Sequence, residues 1–309
     1  MTAAPGTSWT QDNHRCTGLH VRRVTAFLAD GPDADVAAFD TELDRLETGM
    51  SRPPAMSTLR EAVGLSQFEQ DVLALCAAVE LDEAVRRTLA DAHSGTGLTA
   101  VTFGLALALL PQPHWSALTP QSPLRRWSLV ELGPGTHLTT RPVTIAERVL
   151  HALNGARYLD ESIGLRAPHQ VPDLTPGQAE TVAAASTALR TAAAEAVPAV
   201  QILSRHRGTA VAVAAATAHH LGLAPALLAA RDIPLDDAGR AVLARLLERE
   251  AVLAGVLLVV DATDADHEAE RAAARLVDEL AGPVAVVTPQ PVPARRNDVR
   301  LPVPAATAL

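Results

Sequence analysis

The sequence predicts a multidomain protein of the α+β class. A helical module closing on a β-hairpin is followed by a three-layer α/β module. Three observations predict it. Through the first half, apolar residues recur at spacings of three and four, the mark of helices with one buried face. From residue 199 onward, short continuous apolar strands alternate with helical segments, which implies a parallel sheet covered on both faces. Between the two patterns lies a stretch, 164–174, carrying Gly164, Pro168 and Pro172, with the composition of a linker.

The elements follow in order. Residues 1–18 are polar and read as an irregular tail. Helices are expected over 19–30 and 33–48, split by Gly31-Pro32, the second with Val36, Phe39, Leu43 and Leu46 on one face. Residues 51–57, with Pro53-Pro54, read as a connector. Ser66-Gln67-Phe68-Glu69 is a capping box, in which Ser and Glu satisfy free backbone donors at a helix start. Phe68, Val72, Leu75, Cys76 and Val79 then share a face. A second helix is expected over 82–92, ended by a loop with Gly95 and Gly97, and a third over 101–110, stopped by Pro111 and Pro113. Segments 124–132 and 137–143 flank Gly133-Pro134-Gly135 as a hairpin. Thr144-Ile145-Ala146-Glu147 reads as another capping box, opening a helix that ends near Asn154-Gly155. Several helices followed by a hairpin resemble a winged-helix module. The expected division is therefore 1–56 as tail and helices, 57–163 as the winged-helix-like domain, 164–174 as linker and 175–309 as the α/β domain.

The α/β part opens on Thr175-Pro176-Gly177-Gln178, with Pro at the first helical position. Strands are expected at 199–203, 226–230, 256–260, 284–287 and 299–303, and helices starting near Gly208, Asp236 and Asp266. Ligands of such sheets gather at the carboxyl ends of the strands.

Composition narrows the function classes. The 309 residues are 48% hydrophobic but only 3% aromatic, so the cores are aliphatic. The net charge of −9 makes the chain a poor non-specific binder of polyanions. Cys16 and Cys76 are too few and too far apart for a disulfide framework. No basic and apolar leader begins the sequence, and the longest apolar run, 103–110, is too short for a bilayer. A cytoplasmic location is expected. No nucleophile elbow, CxxC pair or HExxH motif occurs, so nothing points to hydrolase, redox or zinc chemistry.

The stretch VQILSRHRGTAVAVAAATAHHLG, from Val200, has the outline of a phosphate loop: strand, short turn, Ala-rich helix. A working loop is G-x-x-x-x-G-K-[ST], where glycines let backbone N–H groups curl around phosphates, Lys reaches the outer ones and the hydroxyl holds Mg²⁺. Aligned without gaps, Ser204 and Thr209 replace the glycines, Ala210 the lysine and Val211 the hydroxyl. The whole chain contains no lysine. A second signature would be an apolar strand ending in Asp-Glu. Here Asp261, which could organise Mg²⁺, is followed by Ala262, so the water-activating carboxylate is missing.

At this point the chain resembles a known family. The order of strand, loop, helix and Asp-terminated strand is similar to the AAA+ ATPase core, a P-loop NTPase topology. Thr288 falls where that family places its first sensor residue, and Val299-Arg300-Leu301-Pro302-Val303-Pro304 looks like its fifth core strand. More specifically, LSQFEQDVLALCAAVELD, TFGLALALLPQPHWSALTP, SPLRRWSLVELG and AERVLHALNG look like the winged-helix-bearing N-terminal half of bacterial AAA+ proteins encoded with extracellular contractile injection systems. In those proteins the first ATPase-like module is often degenerate and an intact one follows. The resemblance covers roughly residues 57–304, with no helical lid and no assignable arginine finger. It implies a degenerate AAA+-like α/β domain without lid and no competent ATPase site in this chain. It also implies a protein partner: an intact AAA+ ATPase or a component of a contractile injection particle. An oligomer is compatible with it. Two alternatives stand beside this reading: the regulatory N-terminal portion of an ATP-dependent remodeller, and a DNA-binding winged-helix regulator.

No cofactor is expected; Mg²⁺-ATP is what a residual site would take. Arg205 and Arg207, beside Gly208 at a helix N-terminus, would contact its phosphates; the ordinary alternative is solvated surface arginines. Asp261 to Glu268 is the densest acidic cluster, but it lacks the Gly and distal Glu of a calcium loop, so Asp264 or Asp266 capping a helix explains it as well. His219-His220 suits a helix end. For DNA, Arg125 and Arg126 would meet phosphates. Segment 102–109, taken as the recognition helix, offers nothing to read base edges, which points to a buried element or a protein contact. Partner-binding candidates are therefore Phe103, Trp115, Arg125, Arg126 and Trp127, with the 127–140 hairpin. Trp115 also fits the plainer role of a loop anchor.

Overall fold

The computed structural model describes residues 5–92, 100–168, 174–191 and 197–304. The expected Gly95/Gly97 loop and part of the expected linker, Pro172 included, lie outside them. The chain divides into two compact units, Met1–Arg157 and Tyr158–Leu309.

The first unit is built around α4 (Gln67–Leu81), whose residues 68 to 78 are all buried. Its capping box forms as the sequence predicts: Ser66 Oγ accepts from Glu69 N, and Glu69 Oε2 accepts from Ser66 N at 2.9 Å. Helices α1 (Pro5–Asp30), α2 (Ala37–Gly49), α3 (Ala55–Val63) and α5 (Glu83–Ala92) belong to the same unit, and α1 and α5 pack on α4. The structure corrects the irregular tail. Helix α1 begins at Pro5, not near residue 19, and its polar side chains serve other helix ends. Buried Asn13 donates Nδ2 to Leu153 O at 2.8 Å and accepts from Ala55 N at 2.8 Å. Free groups at helix ends need such partners, so polarity here marks capping rather than solvent. Arg23 joins three helices by donating to Asp71 at 2.5 Å and to Asp40 at 2.7 Å.

The expected helix over 101–110 is shorter. Val101–Thr102 forms strand β1, and α6 (Phe103–Leu109) starts after it, capped by Thr102 Oγ1 accepting from Leu105 N at 3.1 Å. The hairpin is also shorter. Residues 123–126 form α7 (Pro123–Arg126), and the strands are β2 (Val130–Leu132) and β3 (Pro142–Ile145). The antiparallel order is β1-β3-β2, with Leu132 opposite Val143. The second capping box does not form. Thr144 pairs with Glu131 in the sheet, and α8 (Glu147–Leu153) begins after Ala146 with no side-chain cap.

The second unit has the three layers expected. Strands β4 (Ala199–Leu203), β5 (Ala224–Ala229), β6 (Val256–Asp261), β7 (Val284–Thr288) and β8 (Asp298–Pro302) form a parallel sheet of order β5-β6-β7-β4-β8. Alternate residues serve opposite faces. Leu257, Val259, Ala285 and Val287 pack with α9 (Pro176–Thr191) and α10 (Arg207–His220). Leu258, Val260, Val284 and Val286 pack with α11 (Asp237–Glu250) and α12 (His267–Glu279). Fully buried Ala210, Ala214, Ala215 and Ala218 let α10 lie close to the sheet. Gln201, buried inside β4, would be costly unpaired. It donates to Val292 O at 2.9 Å and Asp298 Oδ2 at 2.6 Å, and accepts from Val292 N at 2.8 Å. Among the described residues no helix is long and apolar enough to cross a membrane.

Candidate functional site

The carboxyl edge of the parallel sheet gathers most of the residues singled out for nucleotide. Register places the end of β4 beside the end of β7, Leu203 opposite Thr288, and the end of β6 next to it, Asp261 opposite Val287. The connection from β4 to α10 is only Ser204-Arg205-His206. It is closed on itself: His206 N donates to Ser204 Oγ at 3.1 Å, and Ser204 N donates to Thr288 O at 3.0 Å.

Helix α10 starts at Arg207, so Gly208, Thr209, Ala210 and Val211 are helical. Gly208 makes no close approach; a Cβ there would meet nothing within 4 Å. Ala210 and Val211 are buried in the core shared with Val200 and Ile202. The positions aligned with the phosphate-binding Lys and the metal-binding hydroxyl thus serve packing.

Asp261 is engaged on both oxygens. Oδ2 accepts from Arg207 Nε at 2.6 Å, and Oδ1 accepts from Thr263 Oγ1 at 2.6 Å and Thr263 N at 3.2 Å. The Asp261 side chain is 6% exposed and that of Arg207 56%. Ala262 is buried and its N–H extends the sheet, donating to Val287 O at 2.9 Å. Thr288 Oγ1 donates to Gln290 O at 2.6 Å. Arg205 is exposed. A cavity of about 280 Å³ lies here, lined by Arg207, Ala229, Arg231, Asp261, Thr263 and Asp264 among others. Asp266 accepts from Ala269 N at 2.9 Å and caps α12, and no group of three or more His, Cys, Asp or Glu among the described residues could hold a metal ion. His219 and His220 are exposed at the end of α10.

The Arg207–Asp261 pair and the role of Thr263 were not foreseen from sequence. The signal is in the order of elements: Arg207 follows β4 and Asp261 ends β6, which puts a cation and an anion at the carboxyl edge of one sheet.

In the first unit the partner candidates separate. Phe103 is fully buried, a core residue of α6 rather than a contact residue. Trp115, in the 3₁₀ turn Trp115–Leu118, is 62% exposed, so it is no core anchor. Arg125 is half-buried and donates to Leu118 O at 2.7 Å; Arg126 is exposed, its guanidinium 5.7 Å from the Trp127 ring centroid. The loop between β2 and β3 carries one arginine, Arg141, which is turned back to Gly133 O at 2.7 Å and Leu132 O at 3.2 Å. Cys16 and Cys76 are buried; burial first pushes their thiols up to about 11 and about 12, so neither is a reactive thiolate.

Residues 43–164 match a family model described as "Winged helix domain, variant". The helices and three-stranded antiparallel sheet of that stretch agree with it, and the chain contains a winged-helix domain. No curated protein and no solved structure matches the chain.

Proposed function

We propose that this chain is a non-hydrolysing docking protein, a winged-helix module joined to an α/β unit of P-loop, AAA+-like ancestry that has lost its nucleotide site. The carrying observation is the closed Asp261. A metal-organising aspartate must offer a carboxylate oxygen to Mg²⁺ or its waters. Both Asp261 oxygens are taken by Arg207 and Thr263. The Arg207 cation stands where an outer charge would otherwise be needed, so the site is neutralised from within. The three-residue turn before α10 supplies no glycine loop to wrap phosphates.

The sequence resemblance supplies the partner in this proposal: an intact AAA+ ATPase, or a component of a contractile injection particle. Winged-helix modules also serve protein docking. The exposed Trp115 face and the apolar composition of α6 support that use over DNA reading. The winged-helix match also favours a DNA-binding regulator. Against it, α6 and the four-residue α7 offer no Asn or Gln, and Arg125 and Arg141 are occupied.

The test is phosphate release from Mg²⁺-ATP, run on the chain and on Asp261→Ala in parallel. The proposal predicts equal, background rates. Turnover that disappears in the variant would make the site catalytic and end the proposal.

A further inference from the structure

Among the described residues only two non-glycine residues have a left-handed backbone, Gln112 at φ 51° and Ser128 at φ 48°. They bracket one segment of the winged-helix domain. Such strained residues persist where the surroundings over-determine them, and they cluster at binding clamps. Between the two lies the exposed Trp115.

The segment is braced from below. His114 bonds Ser66 Oγ through Nε2 at 2.9 Å and Ser116 Oγ through Nδ1 at 2.8 Å, and its ring meets Phe68 edge-on at 5.3 Å. Ser66 is itself fixed by the capping box of α4. The turn bearing Trp115 packs on α7, tied by the Arg125–Leu118 bond. The result is a braced turn that leaves the Trp115 side chain exposed, with exposed Arg126 and half-buried Trp127 on the adjoining helix end. Exposed Trp and Arg on two packed elements have the composition of an interface hot spot, because an aromatic side chain has few rotatable bonds to order on docking.

The charge is specific. In a chain of net charge −9, no aspartate or glutamate occurs between Asp91 and Glu131. On α4, the Glu69 carboxylate is buried and bonded to Ser66, the residue that holds His114. The 112–128 segment is therefore cationic and aromatic within an acidic protein, with exposed Glu131 the first carboxylate after it.

We infer that the 112–128 face docks an acidic polypeptide segment of a partner protein, one that alternates carboxylates with apolar side chains. Trp115 takes the apolar residue and Arg126 a carboxylate. This deepens the docking reading above and rests on it.

The experiment uses the full chain and its tryptophan emission. Of the three tryptophans Trp9 is buried under Arg52 and Trp127 lies on the face itself, so the response at Trp115 is the part of the shift that Trp115→Phe removes. Probes are a synthetic Glu/Leu-rich peptide, its Lys/Leu counterpart and an oligo-dT strand. A saturable blue shift with the Glu/Leu peptide is expected, and calorimetric titration of the same peptide is expected to show affinity falling at least tenfold in Trp115→Ala, in Arg126→Glu and with added salt. Circular dichroism confirms that these exposed-site variants fold. No saturable shift, equal response to the Lys/Leu peptide, or tighter binding of oligo-dT overturns the inference, the last by making the face a single-strand nucleic-acid platform. A silent peptide titration with silent nucleotide titrations sinks only this inference; nucleotide turnover sinks the docking reading itself.

Discussion

Arg207, the first residue of α10, donates Nε to Asp261 Oδ2 at the end of β6, 2.6 Å away, across the carboxyl edge of the parallel sheet. Each of the two would have served nucleotide alone, the arginine as a phosphate contact and the aspartate as a metal organiser. Paired, each is committed to the other.

Installing phosphate-loop residues at positions 210 and 211 will not create a site. Ala210 is fully buried and Val211 nearly so. Ala210→Lys places an unpaired ammonium in the core and is expected to lower stability by more than about 3 kcal/mol. The double variant Ala210→Lys with Val211→Thr is expected to bind no Mg²⁺-ATP. Urea denaturation and nucleotide titration check the two halves. A stable variant that binds nucleotide would show that the loop had kept its phosphate geometry.

The two aromatic candidates of the winged-helix domain should diverge. Phe103→Ala empties a fully buried position and is expected to cost about 3–5 kcal/mol. Trp115→Ala, at 62% exposure, is expected to change stability by no more than about 0.5 kcal/mol. Equal costs, read from denaturant midpoints, would contradict the placement of both.

Acid sensitivity should pass through His20. Its ring is buried on α1, Nε2 has no hydrogen-bond partner among the described residues, and Arg23 and Arg60 oppose a further positive charge while Asp40 favours it. Burial above all, then Arg23, lowers it from 6.5 to about 4. The unfolded chain therefore takes up the proton first. Stability is whole above about pH 6.5, falls as pH drops toward 4, and levels off below, a loss of about 3 kcal/mol from this residue. Carboxylates titrate in the same window, so the comparison is with His20→Leu, which should lose that much less. Parallel pH profiles would exclude the assignment.

Much of the second unit was legible because continuous apolar strands and capped helices leave few alternatives. Strands β4, β6, β7 and β8 and the starts of α10, α11 and α12 fall within a residue or two of where periodicity puts them. The first unit was harder. Residues 5–18 look like solvent-exposed chain, yet Asn13 and Thr17 spend their polarity on Leu153 and Ala55. Local sequence cannot reveal a partner more than a hundred positions away. Thr144 and Glu147 have the spacing of a capping box, but pairing with Glu131 keeps Thr144 in the sheet. Phe103 looked available in an apolar run, and only the packing of α6 shows it in the core. At the candidate site the departures of Ser204, Thr209, Ala210 and Val211 from a phosphate-loop pattern were readable; the salt bridge that closes Asp261 needed the sheet register.

The most direct measurement is calorimetric titration of the purified chain with Mg²⁺-ATP and Mg²⁺-ADP. The account predicts no saturable heat at millimolar nucleotide, with Arg207→Ala equally silent because the glycine loop is absent. Micromolar binding that Asp261→Ala abolishes would contradict it, and would mean that Arg207 opens away from Asp261 to build a working site.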